Sequence, residues 1–458
     1  MKEEKILLLF PDGVGIRNYL YSNVFKETKE DLVLFHAFDA KTEHAVKQIT
    51  KIDKAVAIPK YNESIKEKFY RELICLTRLK HNAKLVANPT ILTNWKKNHT
   101  TLKNKLFYKS IEFCSKLITN YDQILTLEKK YQKTIRKNSF YSEVKSIFTA
   151  VNPSQIFCSH QRGLQCATIF AAATDLGIKT TTVIYSWDNL PKARLALQAE
   201  NYLVWSDYMK AEMQLYYPEI SHDKVLVTGT PQFECYEDNN NCIPKEEFYT
   251  TYDLDLNKKI ICFSGDDSIT SPDDPKYLND LAEELQNSGL DKEYQILFRR
   301  CPVDISGRYD AIVDKYQHLI KPAAPLWNFD AASSWTTIYP LREDIKLLFS
   351  TAFYSDVVVN VGSTMVFDFA MFHKPCIFIN YDQKVKCNKE WSVNTIYQFQ
   401  HFRSMPDKNC VIWWNKKSEL SQIIEKDMKS YSSSAVTNWL IKVIGDKKNA
   451  SKNISNVL

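Results

Sequence analysis

Residues able to do chemistry concentrate in the run Val357-Val-Val-Asn-Val-Gly-Ser-Thr-Met-Val-Phe-Asp-Phe-Ala370, where Gly362, Ser363, Thr364 and Asp368 stand out. An apolar strand followed by a glycine turn and a helix aims unpaired backbone N–H groups and the positive helix end at one spot. Phosphate and diphosphate groups bind such spots. Ser363 is expected to cap the helix. A glycine after a strand can also simply turn the chain; the buried character of Val357–Val361 and the serine beside it favour the anion site. Asp368 sits among apolar neighbours, where a carboxylate is costly without donors. Ribose hydroxyls would supply them, and so would a structural hydrogen bond.

A second set lies upstream in Gln295-Ile-Leu-Phe-Arg-Arg-Cys-Pro302. Arg299 and Arg300 end a strand, and guanidinium suits bidentate phosphate binding. Adjacent strand residues point to opposite faces, so one arginine is expected to face a ligand and the other to pair within the protein. In the first half, Phe10-Pro-Asp-Gly-Val-Gly-Ile-Arg17 follows the first strand. Gly13 and Gly15 would let the backbone approach a ligand, although the third glycine of a dinucleotide fingerprint is missing. Asp12 at the rim reads as a general base or as a helix cap. Cys158-Ser-His160 ends another strand, which makes His160 a cleft candidate of a residue type used in proton transfer. Ser186-Trp-Asp-Asn-Leu-Pro191 places Trp187, Asp188 and Asn189 at a third strand end. Trp187 could stack on a sugar or base, or simply fill the core.

These positions require strands that end together. Short apolar runs alternate with helical patterns along most of the chain. Strands are expected at Lys5–Phe10, Leu32–Phe35, Gln155–Cys158, Thr181–Ile184, Tyr202–Trp205 and Val225–Thr228, then at Lys259–Phe263, Tyr294–Phe298, Asp356–Asn360, Cys376–Ile379 and Val411–Trp414. Strands spaced by helices imply parallel sheets, and this number suits two α/β domains. The polar stretch Glu237-Asp-Asn-Asn-Asn241 marks the break, giving domains over 1–240 and 241–430, with a helix and polar tail over 431–458 expected to fray at its end.

The 458 residues carry a net charge of +6, with 44% hydrophobic and 25% charged residues. That balance lacks the lopsided basic character of a nucleic-acid binder. The apolar run Ile6–Phe10 is too short for a signal peptide or membrane span, so a cytoplasmic protein is expected. The eleven cysteines are scattered without metal-site spacing and read as reduced residues. Residues 95–137 differ from the rest, with eleven lysines or arginines against three acidic residues. Leu102, Leu106, Phe113, Leu117, Tyr121, Ile124 and Tyr131 recur there at helical spacing, which predicts one or two amphipathic helices. The segment is either a solvated basic face on a helical insert (about 95–150) or a patch for an anionic membrane surface or lipid diphosphate.

Taken together, these features resemble the GT-B fold of nucleotide-sugar glycosyltransferases. Ser186-Trp-Asp-Asn-Leu190, Leu203-Val-Trp-Ser206 and Lys224-Val-Leu-Val-Thr-Gly-Thr-Pro-Gln-Phe233 run in the order seen in a group of bacterial surface-polysaccharide transferases. Arg299-Arg-Cys-Pro302 is similar to that group's Arg-x-His-Pro strand end, with Cys301 in place of the histidine. Phe367-Asp-Phe-Ala370 with Lys374-Pro375 also resembles the CDP-glycerol glycerophosphotransferases. Where many retaining members carry two glutamates, this chain has Asn360 and Asp368, which leans toward an inverting or a divergent retaining mechanism.

The resemblance implies two Rossmann-like domains facing a cleft and sugar transfer from a nucleoside-diphosphate sugar, UDP-linked, to a glycan or lipid-linked acceptor. Neither metal nor cofactor is implied. Arg299 or Arg300, Gly362, Ser363 and Thr364 would stabilise the leaving diphosphate, Asp368 would hold the ribose, and Trp335-Thr-Thr-Ile-Tyr-Pro340-Leu341 would lie near the nucleobase. Asp12, His160 or Asp188 would act as base, with Gly13, Gly15, Trp187 and Asn189 lining the acceptor side. The rivals are a CDP-linked polyol-phosphate transferase, a nonhydrolysing sugar-nucleotide epimerase, and a non-catalytic sugar-nucleotide-binding or scaffold protein.

Overall fold

The computed structural model describes residues 4–50, 52–97, 100–195, 197–329 and 338–458. They form two compact units. The first takes the chain to Gln232 together with Val443–Leu458, and the second runs from Phe233 to Lys442.

In the first unit seven strands form one parallel sheet: β1 (Lys5–Phe10), β2 (Asp31–His36), β3 (Lys54–Ala57), β4 (Gln155–Cys158), β5 (Lys179–Val183), β6 (Asn201–Val204) and β7 (Val225–Val227), in the order β3-β2-β1-β4-β5-β6-β7. The order reverses between β1 and β4, which makes the carboxyl ends of those two strands the crevice where open α/β sheets place ligands. In the second unit six strands form a parallel sheet: β8 (Lys259–Ser264), β9 (Tyr294–Arg299), β10 (Ile320–Pro322), β13 (Val357–Asn360), β14 (Cys376–Ile379) and β15 (Ile412–Trp414), in the order β10-β9-β8-β13-β14-β15. The reversal here falls between β8 and β13. A separate antiparallel ribbon pairs β11 (Trp327–Asn328) with β12 (Tyr339–Pro340).

All eleven expected strands are present, with ends shifted by a residue or two. β3 and β10, together with the two-residue strands of the ribbon, were not among the expected strands. Both sheet strands are edges, and in Lys54-Ala-Val-Ala57 the two end residues are exposed and the middle two half-buried. An edge strand covered on few sides carries little apolar signal.

Four helices lie between β3 and β4, at Ile65–Leu85, Leu102–Lys116, Tyr121–Ile135 and Ser139–Val151. Leu73, Leu76, Tyr108, Ile111, Leu127 and Tyr131 of the first three form one buried cluster with Ala167 and Ala171 of helix Cys166–Asp175. Arg78 is buried in this layer, where it pairs with Glu128 and Glu219 and donates to the Tyr121 hydroxyl at 2.7 Å. It thereby joins two of the helices to the segment ahead of β7.

The apolar stripe expected at Leu102, Leu106, Phe113 and Leu117 does not face the core. Those four side chains are exposed, and the helix buries Tyr108, Ile111 and Ser115 instead. The tail after Lys447 is also ordered where fraying was expected. It forms helix Ala450–Ser455 with Ile454 buried, and Gln155 Nε2 donates to the Leu458 carbonyl at 3.0 Å. All eleven cysteines are free, and Cys158, Cys262 and Cys376 are buried.

Candidate functional site

The first unit brings Asp12 and His160 together. Asp12 follows β1 and His160 follows β4, so both sit where the strand order reverses. His160 Nδ1 lies 2.6 Å from Asp12 Oδ2, and Asp12 Oδ1 accepts the Val14 N–H at 3.0 Å. Asp12 is thus both a cap of the Gly13–Gly15 turn and the partner of the imidazole. An ionised carboxylate can only accept, so Nδ1 carries the proton and Nε2 is left to receive one. This is the orienting arrangement of an acid–histidine pair.

Gly15 has a different use from the one its sequence suggested. A Cβ there would fall 2.5 Å from the Ser159 Cβ. The missing side chain admits the neighbouring turn of the protein rather than a ligand, and that approach brings β1's turn close enough for Asp12 to reach His160. Gly13 is buried in the same turn.

The surrounding groups are fixed by hydrogen bonds. Tyr185 packs edge-on against the His160 ring at 5.5 Å between centroids, and burial pushes its hydroxyl pKa up while Arg17 opposes that shift. Gln161 Oε1 accepts the Tyr185 N–H at 3.2 Å, and its Nε2 donates to Asn189 at 3.0 Å. Asn189 in turn donates to Asp188 at 2.8 Å, and Asp188 also pairs with Lys192. Asp188 is therefore engaged, which leaves the Asp12–His160 pair as the arrangement best suited to proton transfer. Trp187 is buried, in keeping with the core alternative for that ring. Gln161 and Tyr185 escaped the sequence reading; their one signal was immediate succession to a strand end.

In the second unit the Gly362 turn stands at the carboxyl end of β13, beside the other reversal of strand order. Gly362 has φ +68, and a Cβ there would meet the Phe402 ring at 2.8 Å, so both backbone conformation and packing require glycine. The turn offers fewer free donors than its sequence suggests. Ser363 N–H bonds to Asn360 Oδ1 at 2.8 Å, and Val366 N–H returns to the Ser363 carbonyl at 3.3 Å. The helix that follows is short, Met365–Ala370; Thr364 stands at its capping position without a side-chain cap bond, while the Ser363 hydroxyl accepts the Met365 N–H at 3.4 Å.

Asp368 is buried, and its Oδ1 accepts from the Tyr236 hydroxyl at 2.6 Å, which is the structural hydrogen bond allowed for it. Neither arginine stands bare. Arg299 Nη2 donates to both oxygens of Asp344 at 2.9 Å, while its Nη1 is buried without a partner among the described residues. Asp344 also accepts from Leu326 N–H and Trp327 Nε1, both at 2.8 Å, so this pair anchors the ribbon strand β11. Arg300 Nη1 donates to the carbonyls of Cys301, Pro302 and Asp304, and burial lowers the pKa of its guanidinium. Arg300 is the less buried of the two and the better placed to meet a ligand. Pro340 is buried in β12 opposite Trp327; Trp335, Thr336 and Thr337 lie outside the described residues.

One feature of this unit had no counterpart in the sequence reading. Ser264-Gly-Asp-Asp267 follows β8, and Asp266 and Asp274 are buried together there. Asp274 accepts the Asp266 N–H at 2.5 Å and the Tyr309 hydroxyl at 3.2 Å. Burial drives both carboxyls upward, Asp274 to about 6, and Asp266 is pushed further by its neighbour's charge. A glycine followed by two aspartates directly after a buried strand was the available signal. Among the described residues no group of three or more His, Cys, Asp or Glu is placed to hold a metal ion.

No family model matches the sequence, and no curated protein matches it. Solved structures do match in fold. MnaA of S. aureus, in a co-structure with UDP, is 10% identical with a TM-score of 0.52, covering 99% of this chain and 95% of its own. The UDP-GlcNAc 2-epimerase of Methanocaldococcus jannaschii is 10% identical with a TM-score of 0.53, covering 99% of each chain. A putative UDP-N-acetylglucosamine 2-epimerase of Listeria monocytogenes is 8% identical with a TM-score of 0.53, covering 98% of this chain and 94% of its own. At these identities the likeness establishes the fold: two Rossmann-like α/β domains of the GT-B type.

Proposed function

We propose that the protein is a glycosyltransferase that moves a sugar from a UDP-linked donor to a surface-glycan or lipid-linked acceptor without a metal. The observation that carries this reading is the Asp12–His160 pair, with Nδ1 and Oδ2 2.6 Å apart at the strand-order reversal of the first unit. His160 Nε2 takes the proton of the acceptor hydroxyl as that oxygen attacks the anomeric carbon, and the bond from that carbon to the diphosphate oxygen breaks. Asp12 fixes the tautomer and stabilises the imidazolium that forms. In the second unit, taken by itself, Arg300 and the hydroxyls of Ser363 and Thr364 are suited to a donor diphosphate.

A second reading, a nonhydrolysing UDP-sugar epimerase, is favoured by the fold likeness to proteins described as UDP-GlcNAc 2-epimerases. Incubation with UDP-, GDP- and CDP-linked donors separates the readings. Nucleotide release that depends on an added glycan acceptor supports transfer, and a CDP-glycerol preference supports the polyol-phosphate alternative. An epimeric sugar nucleotide formed without acceptor supports the epimerase. Absence of turnover with every donor, and an in-cell glycan unchanged by Asp12→Asn, would leave only a binding or scaffold protein. Donor binding is tested separately by calorimetry on Ser363→Ala with Thr364→Ala; unchanged affinity removes the turn from the site.

A further inference from the structure

Helix Leu102–Lys116, with Leu117 following it, carries two apolar faces. At about 100° per residue, Leu102, Leu106, Phe113 and Leu117 fall within roughly 60° of arc, and the buried Tyr108, Ile111 and Ser115 fall on an arc about 180° away. The second set packs into the helical layer of the first unit. The first set points outward, with Leu102 73%, Leu106 60%, Phe113 64% and Leu117 62% exposed. Scattered surface leucines are ordinary, but four large apolar side chains aligned along one helix face form a strip that water solvates poorly.

The charges beside that strip are of one sign. Lys105, Lys109 and Lys116 border it on one side and Lys103 on the other, and none of them has an ion-pair partner among the described residues. The single acidic residue of the helix, Glu112, is occupied by Lys97 at 2.9 Å. An apolar strip bordered by unpaired lysines matches, in both its parts, the boundary of an anionic bilayer, with acyl chains for the leucines and phosphates for the ammonium groups. A protein partner would itself have to present an acidic rim to these lysines.

We propose that this outward face of residues 102–117 docks the protein on anionic phospholipid membranes, lying in the interface plane. The site lies away from Asp12 and His160 in sequence and does not depend on the reaction proposed for them. Among the described residues no helix is long and apolar enough to cross a membrane, so contact of this kind is peripheral.

Vesicle co-sedimentation of the full chain tests this. The expected result is binding to vesicles containing phosphatidylglycerol and not to pure phosphatidylcholine, with release by added salt. Leu106→Ser with Phe113→Ser should abolish sedimentation. Lys105→Ala with Lys109→Ala and Lys116→Ala should weaken it about a hundredfold, at about fivefold per lysine. Circular dichroism melts of both variants should match the parent, because all five side chains are on the surface. Equal binding to both vesicle types, unchanged binding by either variant, or no binding at all would overturn the proposal. So would a dimer in solution that Leu106→Ser with Phe113→Ser converts to monomer, since a second copy would then cover the strip.

Discussion

Glu212 offers a quantitative test of the first unit's packing. It lies on helix Asp207–Tyr216 and is 5% exposed. Tyr208 donates to its Oε1 at 3.1 Å, and its Oε2 is buried without a partner among the described residues. Burial raises its pKa to about 8, with the Tyr208 bond pulling down and the charge of Asp188 pushing further up. The folded protein therefore keeps this carboxyl protonated over a range where the unfolded chain ionises it. A raised carboxyl pKa favours the folded state at low pH, and that advantage is lost as pH rises toward the folded value.

Its size is about 1.4 kcal/mol per pH unit between roughly pH 5 and 8, hence about 3 kcal/mol from pH 5.5 to 7.5. Glu212→Gln keeps the shape of the protonated side chain and removes the titration. Urea denaturation followed by circular dichroism at pH 5.5, 6.5 and 7.5 should show the variant gaining on the parent by about 1.4 kcal/mol per unit. Comparing variant with parent cancels the same-signed contribution of Asp266 and Asp274 in the second unit. A parent–variant difference that stays constant across the three pH values would refute the burial argument.

Other expected outcomes follow from single contacts. Asp12→Asn should lower kcat by about 100- to 10,000-fold with little change in melting temperature, and with a changed acidic limb in the pH–rate profile; an unaltered profile would remove His160 as base. Arg78→Ala strips Glu128 of its partner in the helical layer, while Glu219 keeps the Tyr121 hydroxyl as a donor, and should cost about 3–5 kcal/mol in chemical denaturation; a cost under ~1 kcal/mol would contradict that pairing. Gly362→Ala imposes both a left-handed backbone and a clash with Phe402, with an expected loss of about 1–3 kcal/mol in the second unit's transition.

The sequence by itself determined the class of fold. Apolar runs of strand length separated by helical periods require parallel sheets, and turn residues at the ends of those runs mark where ligands gather. Asp12, His160 and the Gly362 turn were all legible on that ground. What it could not supply was adjacency. Asp12 and His160 are 148 positions apart, and only the spatial order of the strands, with β1 beside β4, makes them neighbours. The same limit hid the partners that fill the structural alternatives, Asp344 for Arg299 and Tyr236 for Asp368.

Helix Leu102–Lys116 shows a further limit. Its period announces an apolar stripe, and spacing alone does not say whether that stripe meets the core or the outside. The helix has two such stripes, and the smaller one, Tyr108, Ile111 and Ser115, is the one buried. Periodicity reports that a face is apolar, whereas the side that meets the core is decided by which neighbouring helices supply complementary surface, and that exists only once the chain has folded.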